Sequence, residues 1–178
     1  MIYAAIDIGT NAARLLIGEV TDNNGRFYVK KISYTRVPLR LGLEVFTNGI
    51  ISDTKRDQFV KTMRAFQLIT EVYNVKGVRA CATSAMREAE NGTAIRQQVY
   101  EQTGLEIEII DGEEEANIIF STFFLLAFDK DSPFIVIDVG GGSTEVSVFE
   151  EGQRIAGKSF KIGTIRMLKD KVESNMWS

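Results

Sequence analysis

The stretch Asp138-Val139-Gly140-Gly141-Gly142-Ser143-Thr144-Glu145 decides the fold that this chain is expected to adopt. It follows an apolar run, Phe134 to Ile137, that predicts a buried strand, and it precedes an alternating run, Val146 to Phe149, that predicts a returning strand. Three consecutive glycines let backbone N–H groups approach an anion without obstruction by Cβ atoms. Asp138 ends the first strand and can hold a divalent cation directly or through water. The stretch therefore predicts a phosphate-binding turn beside a metal-binding carboxylate.

A second copy of this pattern lies near the N-terminus. Asp7-Ile8-Gly9-Thr10-Asn11 follows the apolar run Ile2 to Ala5 and is followed by a returning run, Leu15 to Ile17. Aligning Asp7 with Asp138 also aligns Gly9 with Gly140. A single glycine-rich turn is as often an ordinary hairpin, whereas two copies indicate two related lobes. We expect each lobe to offer a phosphate loop to one cleft.

Composition excludes several classes of chemistry. The chain has 178 residues, a net charge of −3, one cysteine and no histidine. Without histidine there is no Ser-His-Asp triad and no His-ligated metal, so a general base must be a carboxylate, Lys, Tyr or Cys. Any metal is expected to be a hard, oxygen-ligated ion such as Mg²⁺.

The net charge argues against nucleic acid as a partner. Since no apolar run approaches a membrane span, we expect a cytoplasmic protein.

Strands and helices are predicted along the whole chain. The first predicted strand begins at residue 2 and leads into the turn at Asp7, and the others cover residues 14–20, 26–37, 78–82, 106–110, 134–137, 146–149 and 154–161. The predicted helices cover residues 53–73, 92–102 and 112–128, a shorter helix starts at Thr83-Ser84, and a last one starts at Gly163. Residues 38–51 are predicted to form an irregular connection, and 129–133 an interdomain linker. The domain prediction is a first lobe over 1–128 and the beginning of a second lobe over 129–178.

Two helix starts carry candidate functional residues. The hydroxyls of Thr83 and Ser84 at a fresh helix start favour an anion, although a plain helix cap is an equally good interpretation. Three glutamates, Glu113 to Glu115, begin the helix at Gly112. The helix macrodipole favours acidic residues there whether or not they have a function. Among them Glu115 is the strongest candidate, because it directs its side chain along the edge of the buried face, and Glu114 is the next.

Four segments together resemble the exopolyphosphatase and guanosine pentaphosphate phosphohydrolase family, within the actin-like ATPase superfamily. They are Asp7 to Asn11 with Arg14-Leu15-Leu16, Ala82 to Ala89, Gly112 to Ala116, and Asp138 to Glu145. The resemblance implies an α/β, ribonuclease H-like fold in which a mixed central sheet is flanked by helices. It also implies removal of the terminal phosphate of inorganic polyphosphate or of the 5′ γ-phosphate of guanosine pentaphosphate.

The resemblance also implies roles for individual residues. Glu115 would activate water and Arg87 would neutralise the transferred phosphoryl group. Phosphate would be bound by Gly9, Thr10, Asn11, Thr83, Ser84, Gly140, Gly141, Gly142, Ser143 and Thr144. Asp7, Asp138 and Glu145 would hold Mg²⁺, although Glu145 is equally well explained as a strand-surface carboxylate. Ala12 replaces a hydroxyl residue that is usual in the family, so one phosphate donor is missing from the first loop.

Two other functions compete with hydrolysis. An actin-like kinase would need an acceptor pocket and an adenosine loop, and the sequence shows neither. A domain that binds polyphosphate or nucleotide without turnover is the second alternative, because the second lobe has only about 46 residues from Pro133 onward, which is marginal for a core of its own. We expect the chain to be a fragment of a longer protein, and we expect a homodimer because an exposed sheet end invites pairing.

Overall fold

The computed structural model describes residues 1–123, 132–151 and 153–173. The elements in chain order are β1 Ile2–Ile8, β2 Ala13–Asn23, β3 Arg26–Val37, α1 Leu41–Asn48, α2 Asp53–Val72, β4 Val78–Ala82, α3 Ser84–Glu88, α4 Gly92–Thr103, β5 Ile107–Ile109, α5 Gly112–Phe123, β6 Phe134–Val139, β7 Thr144–Glu150, β8 Gln153–Phe160 and α6 Thr164–Glu173. The chain divides into two compact units, residues 1–109 and 110–178. The predicted helix extension over 124–128, most of the linker (129–131), Gly152 and residues 174–178 lie outside the described residues.

The first unit is built on a mixed five-stranded sheet in the order β3-β2-β1-β4-β5. β1, β2 and β3 pair antiparallel, and β4 and β5 continue the sheet parallel to β1. Asn24 and Gly25 connect β2 and β3 with positive φ angles of 53° and 83°, as a tight hairpin of type I′ requires. The predicted α/β class with a mixed sheet is confirmed.

Helices α2 and α4 contribute the apolar core of this unit. Ser52 caps α2 by accepting a hydrogen bond from the Lys55 N–H at 3.3 Å. An apolar stripe at helical spacing is buried, with Phe59 and Met63 at 0% exposure and Phe66 at 1%. It packs into one cluster with the inward residues of β1, β2 and β4. Since β1 and β4 are parallel neighbours, the segments that follow them leave the same edge of the sheet.

Residues 41–48 form helix α1, so the prediction of a wholly irregular connection over 38–51 is wrong. Arg40 precedes the helix with φ 56°, and Gly49 ends it with φ 75°. The N–H of Gly49 donates to the carbonyl of Val45 at 2.9 Å. An Asn-Gly pair at a helix end is the usual left-handed cap, and this signal was present in the sequence.

The second unit contains the antiparallel sheet β6-β7-β8 with α5 packed on it. Its core is aromatic: the Phe120 ring stacks on Phe149 with centroids 3.8 Å apart, and Phe134 lies 5.0 Å from Phe149. The prediction that Phe134 to Ile137 is buried throughout is wrong. Ile135 and Ile137 are 62% and 64% exposed, because alternate residues of a strand face opposite sides and, among the described elements, α5 packs on only one side.

Candidate functional site

The first glycine turn, Gly9 to Ala12, joins β1 to β2. The Gly9 N–H donates to the Ala12 carbonyl at 3.1 Å and closes the turn. The start of α1 fixes the carbonyls of the turn, because the Arg40 N–H donates to Asn11 at 2.8 Å and the Gly42 N–H to Thr10 at 3.0 Å. Among the described residues, no carbonyl accepts from the N–H groups of residues 10–12. Three successive N–H groups are therefore available to an anion.

Thr83 and Ser84 meet this turn directly. The Thr83 N–H donates to the Ile8 carbonyl at 3.1 Å, and the Thr10 and Ser84 hydroxyl oxygens lie 2.9 Å apart in a buried hydrogen bond. The shared bond uses one of the two hydroxyl hydrogens, so the pair keeps one donor for a ligand. Arg87 lies one helical turn further on, and its N–H donates to the Thr83 carbonyl at 3.0 Å.

Asp7, a predicted metal ligand, forms an ion pair with Arg14. Arg14 lies directly opposite Asp7 in the β1–β2 register, and its Nη1 donates to Asp7 Oδ2 at 2.6 Å. The bond to Asp7 raises the pKa of the guanidinium above its usual value. A guanidinium this close disfavours a dication at the same carboxylate. The first turn is therefore suited to phosphate more than to metal.

The second glycine turn, Gly140 to Ser143, repeats the hydrogen bonding of the first. The Gly140 N–H donates to the Ser143 carbonyl at 2.9 Å, as Gly9 does to Ala12. Among the described residues, no carbonyl accepts from the N–H groups of residues 141–143. The Thr144 hydroxyl donates to the Ile162 carbonyl at 2.5 Å, so its hydrogen is used within the protein. The second turn thus presents the same run of three N–H groups.

The start of α6 holds the carbonyls of this second turn. The Thr164 N–H donates to Gly140 at 3.0 Å, and the Ile165 and Arg166 N–H groups donate to Gly141 at 2.9 and 3.2 Å. The Arg166 side chain adds a bond from Nε to the Gly142 carbonyl at 3.0 Å. The segment after Gly163 thus fixes the backbone of the glycine turn.

Asp138 and Glu145 lie directly opposite each other across β6 and β7. Their side chains therefore share one face of the sheet with Cβ atoms about 5 Å apart, and both line a small cavity with Ala116 of α5. Glu145 is only 4% exposed, and its Oε1 accepts a bond from the Ser159 hydroxyl at 2.9 Å. Two carboxylates this close repel each other unless a cation or a proton lies between them.

Glu115 differs from its two glutamate neighbours in burial. Asp111 caps α5, because its Oδ1 accepts from the N–H groups of Glu113 at 2.9 Å and Glu114 at 2.8 Å. Glu113 and Glu114 are exposed, whereas Glu115 is half-buried and directly precedes the buried Ala116. Its position beside the face that carries Asp138 and Glu145 suits a group that acts on a molecule bound there.

A cavity of about 440 Å³ opens beside Glu145 within the second unit. Gly112 and Glu113 of α5 and the residues Arg154 to Ser159 of β8 line it together with Glu145. Arg154 is held in this wall, because its Nε donates to the Ser147 hydroxyl at 3.1 Å. The cavity combines both signs of charge, and Lys158 adds a second cation to its lining.

Sequence reasoning gave no role to several residues that shape these turns. Arg14 contacts Asp7 before the first turn, Arg40 contacts that turn, Ser159 contacts Glu145 after the second turn, and Asp111 caps α5. Arg14 could have been found, since the seven-residue spacing from Asp7 across a tight turn places the two opposite each other. Ser159 could not, since its partner is set by the β7–β8 register.

Each of the two sheets, one mixed and one antiparallel, carries an equivalent glycine turn that follows a strand and an aspartate, and this repeated element is typical of the actin-like ATPase fold. The model of the Ppx/GppA phosphatase family matches residues 17–177, and the chain belongs to this family. The chain is 34% identical over 170 residues to a bifunctional 3-dehydroquinate synthase/phosphatase of Fusobacterium nucleatum subsp. nucleatum, covering 92% of this chain and 25% of that protein. It is 28% identical to exopolyphosphatase 1 of Mycobacterium tuberculosis, covering 96% and 48%.

A solved structure has a similar fold. The exopolyphosphatase from Cytophaga hutchinsonii superposes with a TM-score of 0.86 at 28% identity, covering 95% of this chain and 53% of that one. The chain thus spans about half the length, or less, of these relatives. In the described part of the chain, no helix combines the length and apolar character needed to cross a membrane.

Proposed function

We propose that this chain is the phosphate-binding part of a phosphohydrolase that removes the terminal phosphate of inorganic polyphosphate or the 5′ γ-phosphate of guanosine pentaphosphate. One observation carries the proposal: two glycine turns each present three successive N–H groups that no carbonyl of the described residues accepts. Partly buried N–H groups are rarely left without an acceptor, and a phosphate oxygen is a suitable one. Membership of the Ppx/GppA phosphatase family supports the same substrate class.

Asp138 and Glu145 are the residues proposed to hold Mg²⁺. Among the described residues, no three His, Cys, Asp or Glu side chains cluster as a complete metal cage. Mg²⁺ does not need one, because it keeps several waters and commonly uses one or two carboxylates together with substrate phosphates. A facing carboxylate pair with one buried member fits that requirement. Bound there, the ion would neutralise charge on the phosphate oxygens.

Glu115 is proposed to orient the attacking water and to accept its proton. Phosphoryl transfer depends mainly on positioning and charge stabilisation, with one group needed for the proton of the nucleophile. The turn N–H groups would hold the phosphate oxygens, and Arg87, Thr10 and Ser84 would add donors on the first turn. Since the chain lacks histidine, a half-buried carboxylate is a suitable base.

Phosphate release tests the proposal. The chain, Glu115→Gln and the matched control Glu113→Gln are incubated separately with polyphosphate and with guanosine pentaphosphate in the presence of Mg²⁺. We expect the parent and the control to release phosphate and Glu115→Gln to lose at least about 100-fold in rate, the lower end of the contribution of a positioned acid or base. Equal release by all three would remove Glu115 from the mechanism. The substrate that is cleaved faster decides between the two phosphoanhydrides.

Binding without turnover is the second candidate function, because the chain spans about half the length of its exopolyphosphatase relative. Under this alternative, tripolyphosphate binds the parent and Glu115→Gln equally, and neither releases phosphate. Release of phosphate by the parent would exclude it. A kinase activity would instead require ATP-dependent phosphorylation of an acceptor.

We also propose that the chain forms a homodimer through the second unit. Ile135, Ile137 and Val139 form an exposed apolar row on β6, at 62%, 64% and 58% exposure. Among the described strands, β6 pairs only with β7, so its other edge is open to a second copy. Sedimentation should show a dimer for the parent and a monomer for Ile137→Lys. A parent that is monomeric at high concentration would exclude the dimer.

A further inference from the structure

Two arginines lie side by side at the base of the first glycine turn. The strand registers place Asp7 opposite Arg14 and Arg14 opposite Arg36, so the three residues form one row across β1, β2 and β3. Directly opposite residues of antiparallel strands point to the same face with Cβ atoms about 5 Å apart. The row begins two residues before Gly9, so it lies next to the turn whose N–H groups are available.

The row contains one carboxylate for two guanidinium groups. Asp7 forms an ion pair with Arg14, whose Nη1 lies 2.6 Å from Asp7 Oδ2. Tyr34, on the same face as Arg36, also interacts with Arg14. Within the described residues, no carboxylate is paired with Arg36, whose side chain is exposed. Like charges directly opposite each other destabilise a sheet. An anion bound between the two guanidinium groups would remove that cost.

Arg40 adds a third cation beside the same turn. Its N–H donates to the Asn11 carbonyl at 2.8 Å, which fixes its Cα next to the turn. Its side chain is exposed and, within the described residues, is paired with no carboxylate. The chain as a whole carries a net charge of −3, so this excess of positive charge is local to the turn.

We propose that Arg36, together with Arg14, forms a second phosphate subsite that binds a phosphate beyond the one held by the turn N–H groups. The inference rests on the proposed function, because it assumes that the first turn binds phosphate. It adds that the first turn and the two arginines together contact at least two linked phosphates of the ligand. Bidentate arginine donors match phosphate oxygens well. Inorganic polyphosphate and a nucleoside 5′-triphosphate share this chemistry.

Direct binding tests the subsite without relying on turnover. Tripolyphosphate, guanosine 5′-triphosphate and orthophosphate are titrated calorimetrically into the parent, Arg36→Ala, Arg36→Lys and the control Arg96→Ala. Arg96 is an exposed arginine on α4, and that helix packs against the other face of the sheet through Ile95 and Val99. We expect Arg36→Ala to bind tripolyphosphate at least tenfold more weakly, the loss of about one charge-assisted hydrogen bond. Arg36→Lys should lose affinity to an intermediate extent, because it keeps the charge but not the bidentate donors, and Arg96→Ala should stay within about threefold of the parent.

Two further readouts separate a binding role from a structural one. Orthophosphate affinity should be unchanged in Arg36→Ala, because a single phosphate needs only the turn. The melting temperature without ligand should rise by about 1–3 °C, because the repulsion from Arg14 is removed. A fall in melting temperature with equal losses for all ligands would show that Arg36 is structural and overturn the subsite.

The remaining outcomes each decide one point. Unchanged tripolyphosphate affinity in Arg36→Ala overturns the subsite while the proposed function stands. A parent that binds none of the three phosphates overturns both. A loss of affinity in Arg36→Ala for both tripolyphosphate and guanosine 5′-triphosphate supports a subsite that binds the phosphates of either compound. A loss with tripolyphosphate alone supports a subsite reserved for the inorganic chain.

Discussion

The two glycine turns share a backbone and differ in the residue that faces their aspartate. In both, the aspartate pairs with a residue seven positions later, and the first glycine donates to the carbonyl three residues on. Asp7 faces Arg14, whereas Asp138 faces Glu145. The first turn therefore pairs its carboxylate with a cation of the neighbouring strand, while the second places two carboxylates opposite each other. Under the proposed function, the same hairpin would bind phosphate in one unit and metal in the other.

The equivalence extends beyond the turns themselves. In each unit a third antiparallel strand follows, and then a helix whose first N–H groups donate to the carbonyls of the turn: Arg40 and Gly42 before and within α1, and Thr164 to Arg166 in α6. Both helix starts contain a glycine that lies against the turn, Gly42 and Gly163. The repeated element is therefore three strands and the start of a helix, with the turn held on both sides.

The largest expected effect is that of Glu145→Gln. If the second turn holds Mg²⁺, removing one carboxylate should weaken Mg²⁺ binding by at least about 10- to 100-fold. Stability without metal should be unchanged or higher, because the repulsion from Asp138 is removed. Calorimetric titration of Mg²⁺ and urea unfolding measure the two effects. Glu150→Gln, an exposed glutamate at the end of β7, is the matched control.

Asp7→Asn sharpens this prediction on the first turn. It should leave Mg²⁺ affinity within about threefold of the parent, because Arg14 already occupies that carboxylate. A loss of Mg²⁺ binding in Asp7→Asn as large as that in Glu145→Gln would show that the two turns do not differ in the way proposed.

The next largest effect distinguishes the glycines that support the turns. A Cβ on Gly163 would lie 2.4 Å from the carbonyl of Gly141 and 2.5 Å from the Gly142 nitrogen, which are backbone atoms. A Cβ on Gly42 would lie 2.1 Å from Thr10 Cγ2, a side-chain atom, and turning Thr10 aside would break its hydrogen bond to Ser84. Overpacking costs about 1–3 kcal/mol, so we expect Gly163→Ala near the upper end, because only backbone can move, and Gly42→Ala below it.

Urea unfolding followed by circular dichroism gives these values, with Gly77→Ala as a control. A Cβ on Gly77 would meet only the Tyr3 ring, at 3.5 Å. If Gly163→Ala unfolds like the parent, α6 does not hold the second turn in the way its hydrogen bonds indicate.

Local patterns predicted most of the fold. The hairpin at Asn24-Gly25, the cap at Ser52 and the stripe from Phe59 to Phe66 each depend on residues close together in sequence, and the structure contains all three. Helix α1 was missed because its eight residues show little periodicity between Pro38 and Gly49. The burial of β6 was misjudged because an apolar strand looks the same in sequence whether one or both of its faces are covered.

The site was predictable in its residues and less so in its contacts. The two aspartates and the glycines stand out because each turn is local, and their equivalence could be read from spacing alone. The bond between Thr10 and Ser84 joins residues 74 positions apart, and it depends on the parallel pairing of β1 with β4. Sequence alone does not give that pairing. The hydrogen bond between the Thr10 and Ser84 hydroxyls, which leaves one hydrogen for a ligand, could therefore not be predicted.

A smaller effect is expected from the bond between Thr10 and Ser84. Thr10→Val and Ser84→Ala each remove one partner of a buried hydrogen bond, and each should cost about 1–2 kcal/mol of stability. The double variant should cost less than the sum, with a coupling energy of about 0.5–1.5 kcal/mol. A complete double-mutant cycle by urea unfolding measures this coupling. Strict additivity would mean that the two hydroxyls act independently.

The smallest effect concerns the ion pair of Arg79 and Glu108, in which, as in the pair of Asp7 and Arg14, the two facing residues carry opposite charges. Arg79 Nη2 lies 2.8 Å from Glu108 Oε2 across β4 and β5, and this bond lowers the pKa of Glu108. A lowered pKa contributes stability above the unfolded value, near 4.5, that is lost as the pH falls through the folded value. Since both side chains are about half exposed, Glu108→Gln should cost at most about 0.5 kcal/mol at pH 7.

Urea unfolding at pH 7 and at pH 3 tests the sign. The difference between Glu108→Gln and the parent should shrink at the lower pH, because protonation begins to remove the charge from the parent. Without metal, Glu145→Gln should not be destabilising at pH 7, because it removes one carboxylate from a facing pair of like charge. The same sign for both variants at pH 7 would break the distinction, because removing a charge weakens a facing pair of opposite charge and relieves a facing pair of like charge.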